Sequence, residues 1–392
     1  PRFYAAENNK VRGLTGSNEP GHLDIFFANK MGVDVSAFGN HEFDAGPGEL
    51  FDAAFSSESR NGIVFPGSEF PWLGANIDFT GDSDFSGAIG TDGESISTLN
   101  SKVAKYAVTI LNGETIGLVG ASAPSFPMIT SPGGLTFLPS GNWTNQELAN
   151  VIQASVDSLK NIGVNKIILL SHMQQISVEK SLANLLDGVD IIVAGGSGTR
   201  MGDATDGLYS SSLGTDASFD EEYPYLTTDA TGNPVAVVNV DGDYKYLGRL
   251  VVEFDANGKL DTSSLDAHVS GAYASIAANV TAIGGTVNTD VEEVRDSVLS
   301  VINAQYDNVI GYSSVYLDGR RSQVRTQETN LGNLTADANL WYANLLNPAT
   351  DDPVLVSIKN GGGIRTEIGT SKLPPGSNDP DDLEFFAPED NE

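Results

Sequence analysis

The chain contains no cysteine, so disulfides hold no part of it together and cysteine pairing says nothing about its redox compartment. Basic residues are scarce: 21 Lys and Arg stand against 52 Asp and Glu, a formal charge of −31. Such a chain has little with which to replace the counterions condensed on a phosphate backbone, which excludes nucleic-acid polymers as partners. A small anionic substrate remains compatible, because a metal ion or a few placed arginines reverse the field locally. No apolar run approaches bilayer-spanning length, so no transmembrane segment is expected. Pro1 onward has neither the basic start nor the apolar core of a signal peptide. The lack of thiols and an acidity suited to salty surroundings fit a bacterial protein outside the cytoplasm, whether periplasmic, secreted or at the cell surface. What is present, 392 residues of which 40% are hydrophobic, suffices for more than one core, and two domains are expected.

Histidine is also sparse, with four in the chain, and one of them lies in its most informative stretch. Gly39-Asn40-His41-Glu42-Phe43-Asp44 gathers an amide oxygen, an imidazole and two carboxylates in one turn. These are hard and borderline donors for a divalent metal, with an acid/base to spare. Upstream, Leu23, Phe26, Phe27 and Met31 recur at helical spacing after Pro20, Gly32 ends that helix, and Val33 to Phe38 reads as a buried strand. The turn therefore falls at a strand's C-terminal end, where open α/β sheets place their chemistry. Taken by itself, one His beside Asn and Asp is more often a turn with satisfied side chains than a metal site.

The clearest α/β pattern runs from Trp143 to Ala194. Thr144 and Glu147 form a capping box, Leu148, Ile152, Ser155 or Val156, and Leu159 line one helical face, and Gly163 precedes a strand over Lys166 to Ser171. A second helix, Val178 to Leu186, leads to a second apolar strand, Asp190 to Ala194. His172 and the Gly195-Gly196-Ser197 turn thus leave equivalent strand ends and could meet the Asn40 turn along one sheet edge. The stretches 81–95 and 202–222 read as solvated surface loops. Val235 to Val240 and Leu250 to Phe254 read as strands, with a hairpin turn at Asn257-Gly258. Asp290 to Tyr306 and Asn330 to Leu346 read as amphipathic helices, and Val354 to Ile358 as a strand entering the glycine run at Gly361. His22 and His268 are not put forward for the site.

Several segments, in order, resemble one family. Besides the Gly39–Asp44 turn they are Ser171-His172, Ile191 to Ser197, Tyr246 to Leu250, Glu328 to Leu334, and Asn360-Gly361-Gly362-Gly363-Ile364-Arg365. Together they resemble the calcineurin-like metallophosphoesterases, in their 5′-nucleotidase and UDP-sugar hydrolase branch. The resemblance implies a four-layer α-β-β-α sandwich over residues 1–289, a connector helix over 290–310 and a smaller, incomplete α/β substrate domain over 311–392. It implies hydrolysis of nucleoside 5′-phosphates or related phosphate esters by a metal-activated hydroxide, with two divalent ions, Zn, Mn, Mg or Ca. Broad phosphomonoesterase, UDP-sugar hydrolase or cyclic-nucleotide phosphodiesterase activity remains open, as does a degraded member serving as an extracellular structural or binding protein.

Within that resemblance, Asn40 and His172 match metal ligands, His41 the imidazole that assists at the transition state or protonates the leaving oxygen, and Asp44 the carboxylate that orients it. Arg325 and Arg365 match arginines that hold nucleotide phosphates, Asn360 a residue lining that site, and Gly362 a close backbone approach to ligand. From the residues alone, His172 reads better as the cap of a buried strand than as a ligand, and Arg325 reads equally as a surface ion-pair partner of Glu328. The chain also departs from the pattern. Gly196 and Gly198 stand where the family has ligand side chains, and Gln174, Gln175, Ser197 and Asp203 are nearby oxygen donors that could compensate. The family's opening Asp-x-His motif and following Gly-Asp strand, which precede the segment resembling Pro1 to Asn18, are not in the chain, so a longer protein is expected. Base-stacking aromatics are not matched, and Phe385 and Phe386 are left without a role.

Overall fold

The computed structural model describes residues 21–60, 62–211, 214–216, 218–240, 242–306, 311–348, 352–372 and 384–388. Pro20, the Pro1 to Asn18 segment and most of the acidic tail lie outside them. The chain divides into two units, Pro1–Val298 and Leu299–Glu392.

In the first unit, α1 (His22–Met31) is closed by Gly32, whose N–H donates to the carbonyls of Ala28 and Asn29. The face that packs runs through His22, Leu23 and Ile25, so Met31, expected on the buried stripe, turns to solvent. The strand read over Val33 to Phe38 is shorter in the fold. Only β1 (Ser36–Ala37) pairs, because its parallel neighbour β2 (Trp72–Leu73) is equally short, and β2 pairs in turn with β3 (Val103–Ala104). Helix α2 (Pro47–Ala54) follows the Asn40 turn.

The second sheet is larger. Its strands are β4 (Tyr106–Leu111), β5 (Glu114–Ser122), β6 (Ile167–His172), β7 (Ile191–Val193), β8 (Tyr225–Thr228) and β9 (Pro234–Val238), in the order β8-β9-β7-β6-β5-β4. The inner pairs β5–β6, β6–β7 and β7–β9 are parallel and the two edges antiparallel. Helix α3 (Asn145–Asn161) starts at the expected box: Thr144 Oγ1 accepts from Glu147 N–H, and Glu147 Oε2 accepts from Thr144 N–H at 2.8 Å. Its Leu148, Ile152, Val156 and Leu159 are fully buried, each contributing about 1.5–3 kcal/mol of apolar burial. Helix α4 (Ile176–Leu185) connects β6 to β7.

Strand periodicity decides where β6 sends its side chains. Ile167, Leu169 and Ser171 alternate with Ile168, Leu170 and His172, so the two sets face opposite sides. Ile167 and Leu169 share a core with α3 and α4, whereas Ile168 and Leu170 pack against Leu73, Leu99 and Leu118. His172 therefore belongs to the face turned toward the smaller sheet. Contact between the sheets is tight at Gly120 in β5, where a Cβ would come within 2.1 Å of the Leu73 carbonyl oxygen; only glycine admits that approach.

The hairpin expected at Asn257-Gly258 joins Glu253–Phe254 to Leu260–Asp261. Of the strand read over Leu250 to Phe254 only its last two residues pair, while Tyr246–Arg249 pairs with Gly271–Ala274. Helix α5 (Thr289–Tyr306) crosses the division between the units, and its Val294 buries against Leu23 of α1. In the second unit α6 (Asn330–Leu346) is capped by Thr329, whose Oγ1 accepts from Gly332 N–H. Leu331 is buried, yet Leu334, Trp341 and Leu345 on the expected apolar face are exposed. The strand expected at Val354 to Ile358 does not form. No described strand lies alongside it, and the backbone of Val354 bonds instead to the Asn344 side chain. Among the described residues no helix is long and apolar enough to cross a membrane.

Candidate active site

The Asn40 turn is a single 3₁₀ turn, His41–Phe43, which divides its side chains between two environments. Phe43 is fully buried, edge-on to Phe137 at 5.5 Å and tilted against Phe38 at 5.7 Å. Glu42 folds inward, its Oε2 accepting from Gly39 N–H at 2.7 Å; burial raises its pKa against the pull of that N–H. With those two anchored, His41 and Asp44 project outward and pair, Nδ1 to Oδ2 at 2.7 Å. The carboxylate fixes the ring and leaves Nε2 facing solvent.

His172 closes β6 and reaches the same turn. Its Nε2 lies 3.2 Å from Asn40 Oδ1, its ring stands edge-on to Phe126, and burial, reinforced by the nearby His41, pushes its pKa down to about 4. The imidazole is thus neutral at physiological pH. The loop after β7 joins from the other side, with Met173 N–H donating to Gly195 O at 3.1 Å. The three strand-end loops do converge, though β1 belongs to the smaller sheet and β6 and β7 to the larger.

Of the four candidate substitutes for the missing ligand, one is in the cluster. Gln174 Nε2 donates to Asn40 Oδ1 at 2.5 Å and lies 3.3 Å from His172 Nε2. Ser197 is engaged with Thr199 and Asn239, Asp203 accepts from Thr205 N–H in its own loop, and Gln175 forms the N-terminal boundary of α4. No contact brings these three to Asn40 or His172 among the described residues.

Residues that the sequence did not single out hold this edge in place. Glu179 of α4 is completely buried beneath it, accepting from Met173 N–H at 3.2 Å. Burial pushes its pKa up to about 7. Asn76 bonds the backbone of Ser122 through both ends of its amide, and Ser122 Oγ donates to Phe38 O at 2.7 Å, tying the end of β5 to the start of the turn. An Asn within the otherwise apolar stretch Leu73 to Ile77, and a Glu on the inner side of α4, were the signals available.

The donor set suits a divalent cation in part. Asn40 Oδ1 and His172 Nε2 are separated by 3.2 Å, about the edge between neighbouring ligands whose metal bonds are ~2.1–2.3 Å long. A neutral imidazole is also what a metal requires. Charge is scarce, since among the described residues no three His, Cys, Asp or Glu side chains form a metal-holding group. In the second unit, Asn360 Oδ1 accepts from Gly362 N–H at 2.9 Å, and a Cβ on Gly362 would lie 3.8 Å from the Arg325 guanidinium. Arg325, Asn360 and Gly362 therefore cluster; Arg365 is exposed just beyond them. Arg325 forms no ion pair with Glu328, which accepts from Asn333 instead. Phe385 packs against Tyr316 and beneath the Arg320 guanidinium.

The mixed α/β fold is shared with a 5′-nucleotidase precursor from Thermus thermophilus. That structure superposes with a TM-score of 0.62 at 29% identity, covering 87% of this chain and 55% of its own. No family model matches the chain. In sequence it is 30% identical to the 5′-nucleotidase of Bos taurus over 348 residues and 32% identical to that of Rattus norvegicus, each alignment taking in 87% of this chain. A trifunctional nucleotide phosphoesterase protein of Bacillus subtilis is 27% identical over 357 residues, 89% of this chain and 21% of that protein. By sequence and by fold the chain is a homologue of the 5′-nucleotidases. It spans about half the length of the mammalian relatives, 51% of each.

Proposed function

We propose that the chain carries the hydrolytic half of a metal-dependent phosphoesterase acting on nucleoside 5′-phosphates or closely related phosphate esters. The observation that carries this reading is the meeting of His172 with Asn40 across 132 positions of sequence, one residue from the paired His41 and Asp44. Asn40 and His172 would hold a divalent cation, which when bound neutralises charge on phosphoryl oxygens and acidifies water. His41, oriented by Asp44, can donate to a phosphoryl oxygen or hand a proton to the departing one. In the second unit Arg325 and Arg365 are assigned to nucleotide phosphates, for which the guanidinium fork is suited, with Asn360 and the bare backbone at Gly362 completing the contact. The layered sandwich and smaller substrate domain expected from the sequence belong to the same proposal, as does a location outside the cytoplasm, supported by the acidity and the absence of cysteine.

A second reading has its own observation. With Gly196 and Gly198 lacking donors and no cluster of three acidic or imidazole side chains among the described residues, a binding protein that has lost catalysis accounts for the same fold. Product formation in the presence of Mn²⁺ separates the two, read as inorganic phosphate from AMP and an aryl phosphate, UMP and glucose 1-phosphate from UDP-glucose, and a nucleoside monophosphate from a cyclic nucleotide. Turnover of AMP that falls by about 10²–10⁴-fold in His41→Ala supports hydrolysis; no release from any ester leaves the binding protein.

A further inference from the structure

The loop after β7 and the loop after β6 depart from expectation at adjacent points. At Gly196 the backbone is left-handed, φ +83°, and a Cβ would sit 2.4 Å from His172 Nε2. No side chain fits there while the ring keeps its place. Two residues past His172, Gln174 is itself left-handed, φ +67°, a conformation that disfavours a long side chain. That backbone directs its terminal amide to Asn40 Oδ1 and His172 Nε2. A strained residue whose functional end meets the two candidate ligands calls for a reason beyond folding, since glycine would serve the turn better.

We propose that Gln174 is a cation ligand, supplying the donor that position 196 cannot. The inference rests on the metal-dependent reading above. With no cation, its Nε2 donates to Asn40 Oδ1. Half a turn of the amide exchanges Nε2 for Oε1, and three lone pairs, from Asn40, His172 and Gln174, then face one region. With the His172 proton on Nδ1, the tautomer a cation at Nε2 requires, that arrangement is repulsive unless a cation occupies it, so the amide orientation responds to the cation. The resulting set is neutral, with two amide oxygens and one imidazole, and favours an oxygen-seeking ion such as Mn²⁺ over a thiolate-seeking one.

The test is Mn²⁺ binding to the whole chain, followed by calorimetry and by the loss of free-ion signal in electron paramagnetic resonance, with thermal melting of the metal-free protein alongside. Gln174→Ala and Gln174→Gly should each weaken binding by about ten-fold or more. Gln174→Gly should nonetheless melt no lower than the parent, because glycine relaxes the left-handed backbone. Gln174→Glu, which adds charge, should tighten Mn²⁺. Unchanged affinity in Gln174→Gly, alongside binding abolished by Asn40→Ala or His172→Ala, would overturn the role of Gln174 and leave the metal reading intact. No Mn²⁺ binding by the parent chain would overturn both.

Discussion

The two units hold their candidate residues by different means. In the first, the Asn40 turn rests on Phe43 in an aromatic core, its Gly39 N–H is bound by the half-buried Glu42 carboxyl, and its neighbour β5 is tied to Phe38 by Ser122. In the second, Asn360 and Gly362 are joined by one local hydrogen bond, while nearby apolar residues stand in solvent, Leu355 at 80% and Ile358 at 89% exposure. Position is enforced by packing in one case and by local backbone chemistry in the other. Stored stability should follow the same division.

The largest contrast is between Phe43→Ala and Leu355→Ala, compared by urea unfolding. Emptying the Phe43 site should cost about 3–5 kcal/mol, whereas trimming Leu355 should change stability by less than about 0.5 kcal/mol. Comparable losses at both positions would break the distinction.

A smaller effect sharpens it through pH. Glu179 keeps its proton to about pH 7 when folded, against an ordinary value of 4.5. Between those values the folded state binds more protons than the unfolded one. The stability this group contributes is therefore full below its ordinary pKa and is lost as pH rises through about 7. Asp190, at the start of β7, is likewise pushed up to about 7 by burial and acts in the same direction. Glu179→Gln should flatten the decline and exceed the parent at pH 8 by something on the order of 2 kcal/mol, measured as the urea midpoint at pH 5 and pH 8. The smallest expected effect is one that should not differ between units. Thr144→Ala and Thr329→Ala each remove a helix N-cap, and each should cost about 1 kcal/mol. A cap on α6 worth far more than that on α3 would mean the second unit depends on its caps in a way its burial does not indicate.

Local signals explain what was legible in the sequence. The capping box at Thr144, the buried stripe from Leu148 to Leu159 and the Asn257-Gly258 turn are set by neighbours a few positions away, and all three are present in the fold. The His41–Asp44 pair is of the same kind, three residues apart. The length of β1 was not legible, because it depends on how much of β2 is available to pair. Val354 to Ile358 has strand composition, but composition supplies no partner. At the site, resemblance singled out Asn40 and His172, while Glu179 and Asn76 escaped notice because their roles exist only once distant backbone groups need a partner. The part of Gln174 depended on a ring orientation at His172 that no local pattern encodes.

The most direct test of the account is where a divalent ion goes when offered. Crystals of the chain grown with Mn²⁺, measured at the manganese absorption edge, should show an anomalous peak between Asn40 Oδ1 and His172 Nε2, with the Gln174 amide turned to face it. A peak confined to other acidic surfaces, with Gln174 still donating to Asn40, would contradict it.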